Sequence, residues 1–264
     1  MEDLIRSVAL DSRHGVIEQL LVRSRSKLDR ALKHIYRPEA ALGIVQSSLG
    51  DLLVAMSHRG VVLIRYVDHS NDVDNAVAKL RLLFDPVEDS RTIAEIGTEI
   101  SRYVTGTTTT LGRQVDLTLA ACAFQKRILD QLRNVPCGAL ISYRALGKLA
   151  GCPNGARAVG NALHKNPVPI YIPCHRVISS DCGIGGYAGG RARKTKLLHS
   201  EGFRLGDEEK ISIAFFGHTR TNIYCRLRCR SASRIDRTRI LYFAGAEEAK
   251  RAGMRPCKIC RPDR

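Results

Sequence analysis

The sequence predicts three successive folded parts: a small α/β unit, a helical domain and a cysteine-rich module. β-Branched runs followed by helical spacing predict the first part, short helices separated by turns predict the second, and two close cysteine pairs predict the third. A chain of 264 residues with 44% hydrophobic content is long enough to bury such cores. The predicted segments are a leader helix at 1–40, the α/β unit at 41–121, the helical domain at 122–206 and the module at 215–264, with a link near Gly206.

The first part is predicted from the spacing of its apolar residues, which changes along the chain from helical to strand-like and back to helical. Residues 14–35 carry apolar side chains at near-helical spacing among many charges, which indicates an amphipathic helix. Two β-branched runs separated by His58-Arg59-Gly60 then predict a hairpin, and helical patterns follow. The predicted elements are strands at Leu52–Met56 and Val61–Tyr66, helices at Asp72–Phe84 and Ile93–Val104, and a strand at Gln114–Leu119.

The second part is predicted to contain a helix-turn-helix. A helix over Phe124–Leu132 ends before Pro136, and Ser142 can cap a helix over Tyr143–Ala150. A turn then leads into a helix over Gly155–Lys165. Two short helices joined in this way can place the second helix in a DNA groove, although helix pairs that never meet DNA have the same pattern.

The net charge of +16 indicates a polyanionic partner, for which nucleic acid is the leading candidate. The last 50 residues carry thirteen Lys and Arg against four Asp and Glu, so the tail is the most basic part. A surface tuned only for solubility is the alternative. No run of residues is long and apolar enough to span a bilayer, so we expect a cytoplasmic protein without membrane contact. Its nine cysteines are then expected to be reduced.

The segment Ile172-Pro173-Cys174-His175-Arg176-Val177 resembles the active-site motif of the 6-O-methylguanine-DNA alkyltransferases. The resemblance runs from about Ile44 to Phe203 and includes the blocks Ile141-Ser142-Tyr143, Ala156-Arg157-Ala158-Val159-Gly160, Asn166-Pro167, Gly185 to Gly190 and Leu197 to Gly202. It implies a ribonuclease H-like N-terminal unit and a winged-helix-type second domain. It also implies repair of double-stranded DNA that carries O6-alkylguanine, by a monomer without an organic cofactor.

Alkyl transfer to Cys174 requires a thiolate, because only the thiolate is a competent nucleophile for this displacement. His175 is the nearest base in the sequence, and a bridging water suits two adjacent side chains better than a direct contact does. The resemblance implies that Glu201 stabilises the imidazolium. The thioether product is not removed from Cys174, so each chain is expected to act once.

Further site residues are implied by the resemblance alone. Because the target base is stacked in the duplex, it must be flipped out, and Arg157 would fill the gap. Tyr143 would stand near the guanine edge and the rotated phosphate, and Asn161 would brace the turn that holds Cys174. The remaining residues expected to contact the base or the DNA are Arg176, Gly186, Tyr187 and Lys194, of which Tyr187 and its glycine neighbours would wall the pocket.

The tail carries Cys225 and Cys229 in one pair and Cys257 and Cys260 in another. Two close cysteine pairs in a reduced chain predict a tetrahedral site for one Zn²⁺. The segment also resembles the metal-binding domain of the Ada adaptive-response protein, in which a zinc-bound cysteine takes methyl groups from DNA methylphosphotriesters. The matching acceptor is Cys225. A structural zinc module that only adds affinity for DNA is the alternative, since the residues beside Cys225 depart from that pattern.

Two other interpretations remain open at this point. A non-catalytic protein that binds alkyl lesions would keep the pocket and the DNA-binding helices but lack the acceptor cysteine, so the presence of Cys174 favours an enzyme. A cysteine hydrolase is disfavoured because no oxyanion-hole pattern accompanies the Cys-His pair. Four cysteines are predicted to be small buried hydrophobic residues: Cys122, Cys137, Cys152 and Cys182.

Overall fold

The structure is a computed structural model that describes residues 37–206, 210–230 and 235–263. The predicted leader helix over residues 14–35 lies outside the described residues. None of the helices in the described ranges is long and apolar enough to cross a membrane.

The N-terminal part is a sheet with the strand order β3-β2-β1-β4. The predicted hairpin is present as an antiparallel pair, and β4 lies parallel to β1 at the edge. Helix α1 packs on one face beside Leu53 and Leu63, whereas α2 packs on the other beside Val54 and Ile64. The elements are β1 (Glu39–Val45), β2 (Leu52–Ser57), β3 (Gly60–Tyr66), α1 (Asn71–Leu80), β4 (Asp85–Glu88) and α2 (Ser90–Val104).

Two predicted elements of this part differ in the structure. The helix expected over Asp72–Phe84 ends at Leu80, because tighter turns follow, in which Leu82 N donates to the Lys79 carbonyl and Leu83 N to the Leu80 carbonyl, before the chain enters β4. The strand expected over Gln114–Leu119 is only an isolated bridge between Val61 and Val115. There the Asp116 carboxylate accepts hydrogen bonds from Ser57 Oγ and from the backbone of Thr118, and these bonds turn the chain away from the sheet.

The helical part follows the predicted order of elements. Ser142 caps α4, since its Oγ accepts a hydrogen bond from Ala145 N at 3.1 Å, and α5 follows after a turn. Strand β5 ends where α4 begins, and it pairs in parallel with β6, which follows the 3₁₀ turn that starts at Cys174. The elements are α3 (Ala123–Leu132), β5 (Ala139–Ser142), α4 (Tyr143–Leu149), α5 (Ala156–His164), a 3₁₀ turn (Cys174–Arg176), β6 (Val177–Ile178) and α6 (Arg191–Ser200). The predicted order of an α/β part followed by a helical part is therefore confirmed.

The cysteine-rich tail shares a sheet with the helical part, although the sequence predicts a module beyond a link near Gly206. The sheet order is β12-β10-β9-β11-β5-β6, and β11 pairs with β5 at Tyr242–Leu140 and Phe243–Ala139. Phe243 is fully buried in the core that includes α2 and α3. The elements are β7 (Arg204–Leu205), β8 (Ile211–Ser212), β9 (Phe215–His218), β10 (Ile223–Arg226), a 3₁₀ turn (Arg237–Arg239), β11 (Ile240–Phe243), α7 (Ala246–Arg251) and β12 (Arg255–Pro256).

Candidate active site and metal centre

Cys174 begins the 3₁₀ turn and is 5% exposed. Asn166 braces this turn: its Nδ2 lies 3.2 Å from Cys174 Sγ and donates to the carbonyl of Ile172 at 3.0 Å. Asn166 Oδ1 in turn accepts from Val168 N. The sequence assigned the bracing role to Asn161, which is instead exposed on α5. The sequence did contain a signal for Asn166, since Asn166-Pro167 is one of the blocks that resemble the alkyltransferases.

Behind Cys174 lies a buried network around the carboxylate of Glu201. His175 Nε2 is 2.6 Å from Glu201 Oε1, and Arg176 Nε donates to Glu201 Oε2 at 2.9 Å. Tyr103, on α2, donates its hydroxyl to the same carboxylate and accepts from Arg176 Nη2. The backbone N–H of Gly138 completes the set at 3.1 Å. Glu201 is thus held as an anion by charged and neutral donors from several elements.

The pKa directions in this network follow from burial and from the neighbouring charges. Burial alone raises the pKa of Glu201, but Arg176 and His175 outweigh it and hold the pKa at about 2. Burial lowers the pKa of His175, so the imidazole is neutral at rest, and its Nδ1 has no hydrogen-bond partner among the described residues. Burial also raises the pKa of Cys174, opposed by the Asn166 hydrogen bond and the Lys194 charge. The resting site therefore holds a thiol beside a neutral base.

Arg176 and Lys194 are buried, so neither side chain is available to DNA phosphates at the surface, and their contact with the DNA or the base stays a prediction. Arg176 is 7% exposed, and its guanidinium is taken up by Glu201, Tyr103 and the carbonyl of Val135. Lys194 is fully buried, and its Nζ donates to the carbonyls of Val177 at 2.6 Å and Gly186 at 3.2 Å. Burial lowers the pKa of Lys194 to about 8. These cations act from inside the protein, on Glu201 and on Cys174.

A cavity of about 250 Å³ opens onto Cys174. Tyr143 is half-buried at its wall, and its hydroxyl donates to the Gly186 carbonyl at 3.3 Å. Gly185 has φ +68°, and a Cβ there would lie 3.2 Å from the Tyr143 ring, so a side chain would crowd the wall. Arg157 is exposed in the first turn of α5. The lining includes Tyr143, Asn161, Cys174, Gly186, Tyr187 and Ala188.

The predicted zinc ligands lie together in the tail. The Sγ atoms of Cys225, Cys229, Cys257 and Cys260 all lie within 4.8 Å of one another. Zinc–thiolate bonds of about 2.3 Å place tetrahedral sulfurs about 3.8 Å apart, so this donor set fits Zn²⁺. Successive residues of β10 point to opposite faces: Cys225 points to the cluster of four cysteines, and Tyr224 is buried in the main core.

The comparisons with known proteins agree with both sites. A family model of the 6-O-methylguanine DNA methyltransferase DNA binding domain matches residues 123–203, and the metal binding domain of Ada matches residues 206–263. A methylated-DNA–protein-cysteine methyltransferase of Cricetulus griseus is 36% identical over 168 residues, which are 60% of this chain and 80% of that protein. The chain belongs to the methylated-DNA–protein-cysteine methyltransferase family. Its members are enzymes of DNA repair.

Two further members extend the comparison. The Homo sapiens methyltransferase is 52% identical over 85 residues, which are 32% of this chain and 41% of that protein. The crystal structure of the Mycobacterium tuberculosis protein in complex with DNA superimposes with a TM-score of 0.50 at 29% identity, covering 62% of this chain and 92% of that one. This chain therefore combines the family's α/β and helical parts with a segment that matches the metal binding domain of Ada.

Several features of this methyltransferase were missed in the sequence. Tyr103 is 98 positions from Glu201 along the chain, and its helical spacing indicates only a core residue. The four cysteines predicted to be buried are not: Cys122 is exposed, and Cys137, Cys152 and Cys182 are partly exposed. Cys122 precedes α3 at the surface and Cys182 lies in a partly exposed turn, so neither fills the core.

Replacing Glu201 with glutamine is expected to slow methyl transfer by about 100-fold, because a neutral amide no longer stabilises an imidazolium at His175. It also leaves Arg176 without its buried anion, which we expect to cost roughly 3–5 kcal/mol of folding stability. Single-turnover kinetics and denaturant unfolding measure the two effects. Glu99→Gln is the matched control, since Glu99 accepts from Tyr171 at 2.7 Å outside the Cys174 network. An unchanged rate in folded Glu201→Gln protein would contradict the assignment.

Proposed function

We propose that this chain repairs O6-alkylguanine in double-stranded DNA by moving the alkyl group onto Cys174, once per molecule. The observation that carries the proposal is a thiol at the floor of a base-sized cavity, with the buried His175–Glu201 pair behind it. In the step, a bond forms between Cys174 Sγ and the alkyl carbon while the bond from that carbon to O6 breaks. The thiol proton is lost, guanine gains a proton at N1, and the products are guanine and a thioether.

The chain's own residues account for the activation of the thiol. His175 is the base, and its unpartnered Nδ1 suits a water that bridges to the neighbouring Cys174. Glu201 stays ionised because Arg176 and the hydroxyl of Tyr103 hold it, so it stabilises the imidazolium that forms. The charge of Lys194 favours the thiolate in the dry site. Thiolate formation therefore belongs to the reaction and not to the resting state.

The helix-turn-helix and the basic surface are the parts of the chain that bind the DNA. Arg157, exposed at the start of α5, fills the space left by the flipped base. Tyr143 and Tyr187 border the flipped guanine, and the Gly186 backbone lies between them. The non-catalytic lesion-binding alternative is disfavoured because Cys174 borders the cavity.

A second candidate function is methyl transfer from DNA methylphosphotriesters to Cys225. A cavity of about 630 Å³ borders Cys225 and Cys257, and its walls carry Arg220, Arg255 and Lys258, whose charges suit a DNA backbone. Bound zinc keeps its cysteine ligands as thiolates. A bond would form between Cys225 Sγ and the methyl carbon, and the departing electron pair would leave a phosphodiester anion.

One peptide-mapping experiment tests both transfers. The protein is incubated with duplexes that carry O6-methylguanine, and the Cys174→Ala protein with duplexes that carry only methylphosphotriesters. Mass spectrometry is expected to find one methyl group on the Cys174 peptide in the first case and one on the Cys225 peptide in the second. No adduct at Cys174 contradicts the main function. No adduct at Cys225 in zinc-loaded protein leaves the tail as a structural DNA-binding module.

The proposal also includes the fold type, the domain boundaries, the oligomeric state and the cofactors of the protein. The α/β unit is ribonuclease H-like and the helical part has winged-helix character, with the domain boundaries at 1–40, 41–121, 122–206 and 215–264. The protein is a cytoplasmic monomer without membrane contact, binds one Zn²⁺ per chain and uses no organic cofactor. The four clustered thiols and the +16 charge support the metal and the DNA partner.

A further inference from the structure

Tyr66, at the end of β3, reaches from the N-terminal sheet to the wall of the base cavity. Its hydroxyl oxygen is 2.8 Å from that of Tyr187, and the two rings meet edge to face with centroids 6.2 Å apart. The Arg193 guanidinium lies 4.3 Å from the centre of the Tyr66 ring and forms an ion pair with Asp68 at 2.5 Å. The Tyr66 ring is thus held from two sides.

The same ring borders a second cavity, of about 220 Å³, that also reaches Cys174. Cys174 and Ala188 line both this cavity and the base cavity, so the two cavities meet at Cys174. The lining of the second cavity includes Tyr66, Asn166, Pro169, Cys174, Ala188 and Gly189.

The backbone at Gly189 is packed closely against the rings of Tyr66 and Tyr187. A Cβ at Gly189 would lie 2.3 Å from Tyr66 Cε2 and 2.7 Å from Tyr187 Cε1, so the two rings occupy the space that a side chain would need. Arg193 also donates to the Gly189 carbonyl at 3.1 Å, which ties this loop to the clamp on Tyr66. The Tyr66 ring, which comes from the N-terminal sheet, therefore limits the space beside Cys174.

Guanine takes the base cavity, and in an in-line displacement the rest of the alkyl group projects sideways from the line between Cys174 Sγ and O6, so it needs space beside Cys174. We propose that Tyr66 is a specificity-determining residue, whose ring forms a wall of the second cavity and limits the size of the alkyl group that Cys174 accepts. This inference rests on the proposed alkyl transfer to Cys174. The Tyr187 contact and the Arg193–Asp68 ion pair keep the ring from moving aside for a larger group.

The test compares rate constants for two duplexes of one sequence, with O6-methylguanine or O6-benzylguanine at the same position. Tyr66→Leu removes the ring and is expected to raise the benzyl-to-methyl ratio at least about tenfold. Tyr66→Phe keeps the ring and is expected to leave the ratio within about twofold. Tyr66→Met, a more adaptable apolar side chain, is a second opening variant in case the leucine variant does not fold.

Tyr171→Leu is the matched control, because the hydroxyl of Tyr171 bonds Glu99 at 2.7 Å and its ring lines neither cavity. Its ratio should equal that of the parent protein. A purely structural role for Tyr66 would slow both substrates equally, and an unchanged ratio in the folded opening variants overturns the inference. Failure of the parent protein to react with O6-methylguanine would instead overturn the proposed function.

Discussion

Replacing Cys174 with alanine is expected to abolish transfer of the methyl group to the protein while leaving the dissociation constant for duplex DNA within about threefold of its parent value. Transfer requires the sulfur, and neither His175 nor Asn166 can replace it as a nucleophile toward an alkyl carbon. DNA binding persists because phosphate contacts from the basic surface supply most of the affinity. Intact-protein mass spectrometry and fluorescence anisotropy with the same O6-methylguanine duplex measure both quantities.

Cys122→Ala is the control for this variant, because Cys122 is exposed and lies outside both cysteine sites. It should accept one methyl group at the parent rate. The assignment is wrong if the Cys174→Ala protein still gains a methyl group in a single turnover. It is also wrong if the Cys122→Ala protein loses transfer while remaining folded.

Replacing Cys257 with serine is expected to remove the bound zinc and to lower the melting temperature by roughly 10 °C or more, since zinc binding supplies much of the folding free energy of such modules. The effect should extend beyond the tail. Cys257 N donates to the Tyr224 carbonyl, and the sheet continues through β9 and β11 to β5, which leads into the helix that Ser142 caps. Metal analysis and calorimetry measure the two losses.

Cys182→Ser is the matched control, because Cys182 is partly exposed and is not one of the four clustered thiols. It should keep the metal and the melting temperature. Full metal content in the Cys257→Ser protein would show that this thiol is not a ligand. Loss of zinc without any change in the melting of the rest of the chain would show that the shared sheet transmits no stability.

The shared sheet also joins the Cys174 site to the cysteine-rich tail. The side chain of Glu248, on α7 of the tail, packs so close to Gly138 that a Cβ there would lie 2.5 Å from Glu248 Cγ. Gly138 itself has φ +76° and donates its backbone N–H to Glu201. The turn that holds the catalytic carboxylate is thus packed against the zinc-binding module.

Local patterns in the sequence were sufficient to predict most of the helices and strands. The spacing of apolar residues predicted the β2–β3 hairpin and the helices, because periodicity reports directly which face is buried. The two cysteine pairs predicted a metal site, and their four sulfurs do lie together, whereas the role of Cys174 as the nucleophile stays a prediction. The same local reasoning failed at Gln114–Leu119, where side-chain hydrogen bonds to Asp116 overrode a strand pattern.

Only the tertiary structure decided which charges face solvent and which distant residues complete the site. Arg176 and Lys194 look like DNA-binding cations in a sequence, but packing against Glu201 and Val177 buries them. Tyr103 and Tyr66 come from the N-terminal part, and contacts across about 100 residues leave no local pattern. The pairing of β11, in the tail, with β5 could likewise not be predicted from the sequence. Strands pair through backbone hydrogen bonds, so the pairing depends on where the fold brings the strands together and not on their side chains.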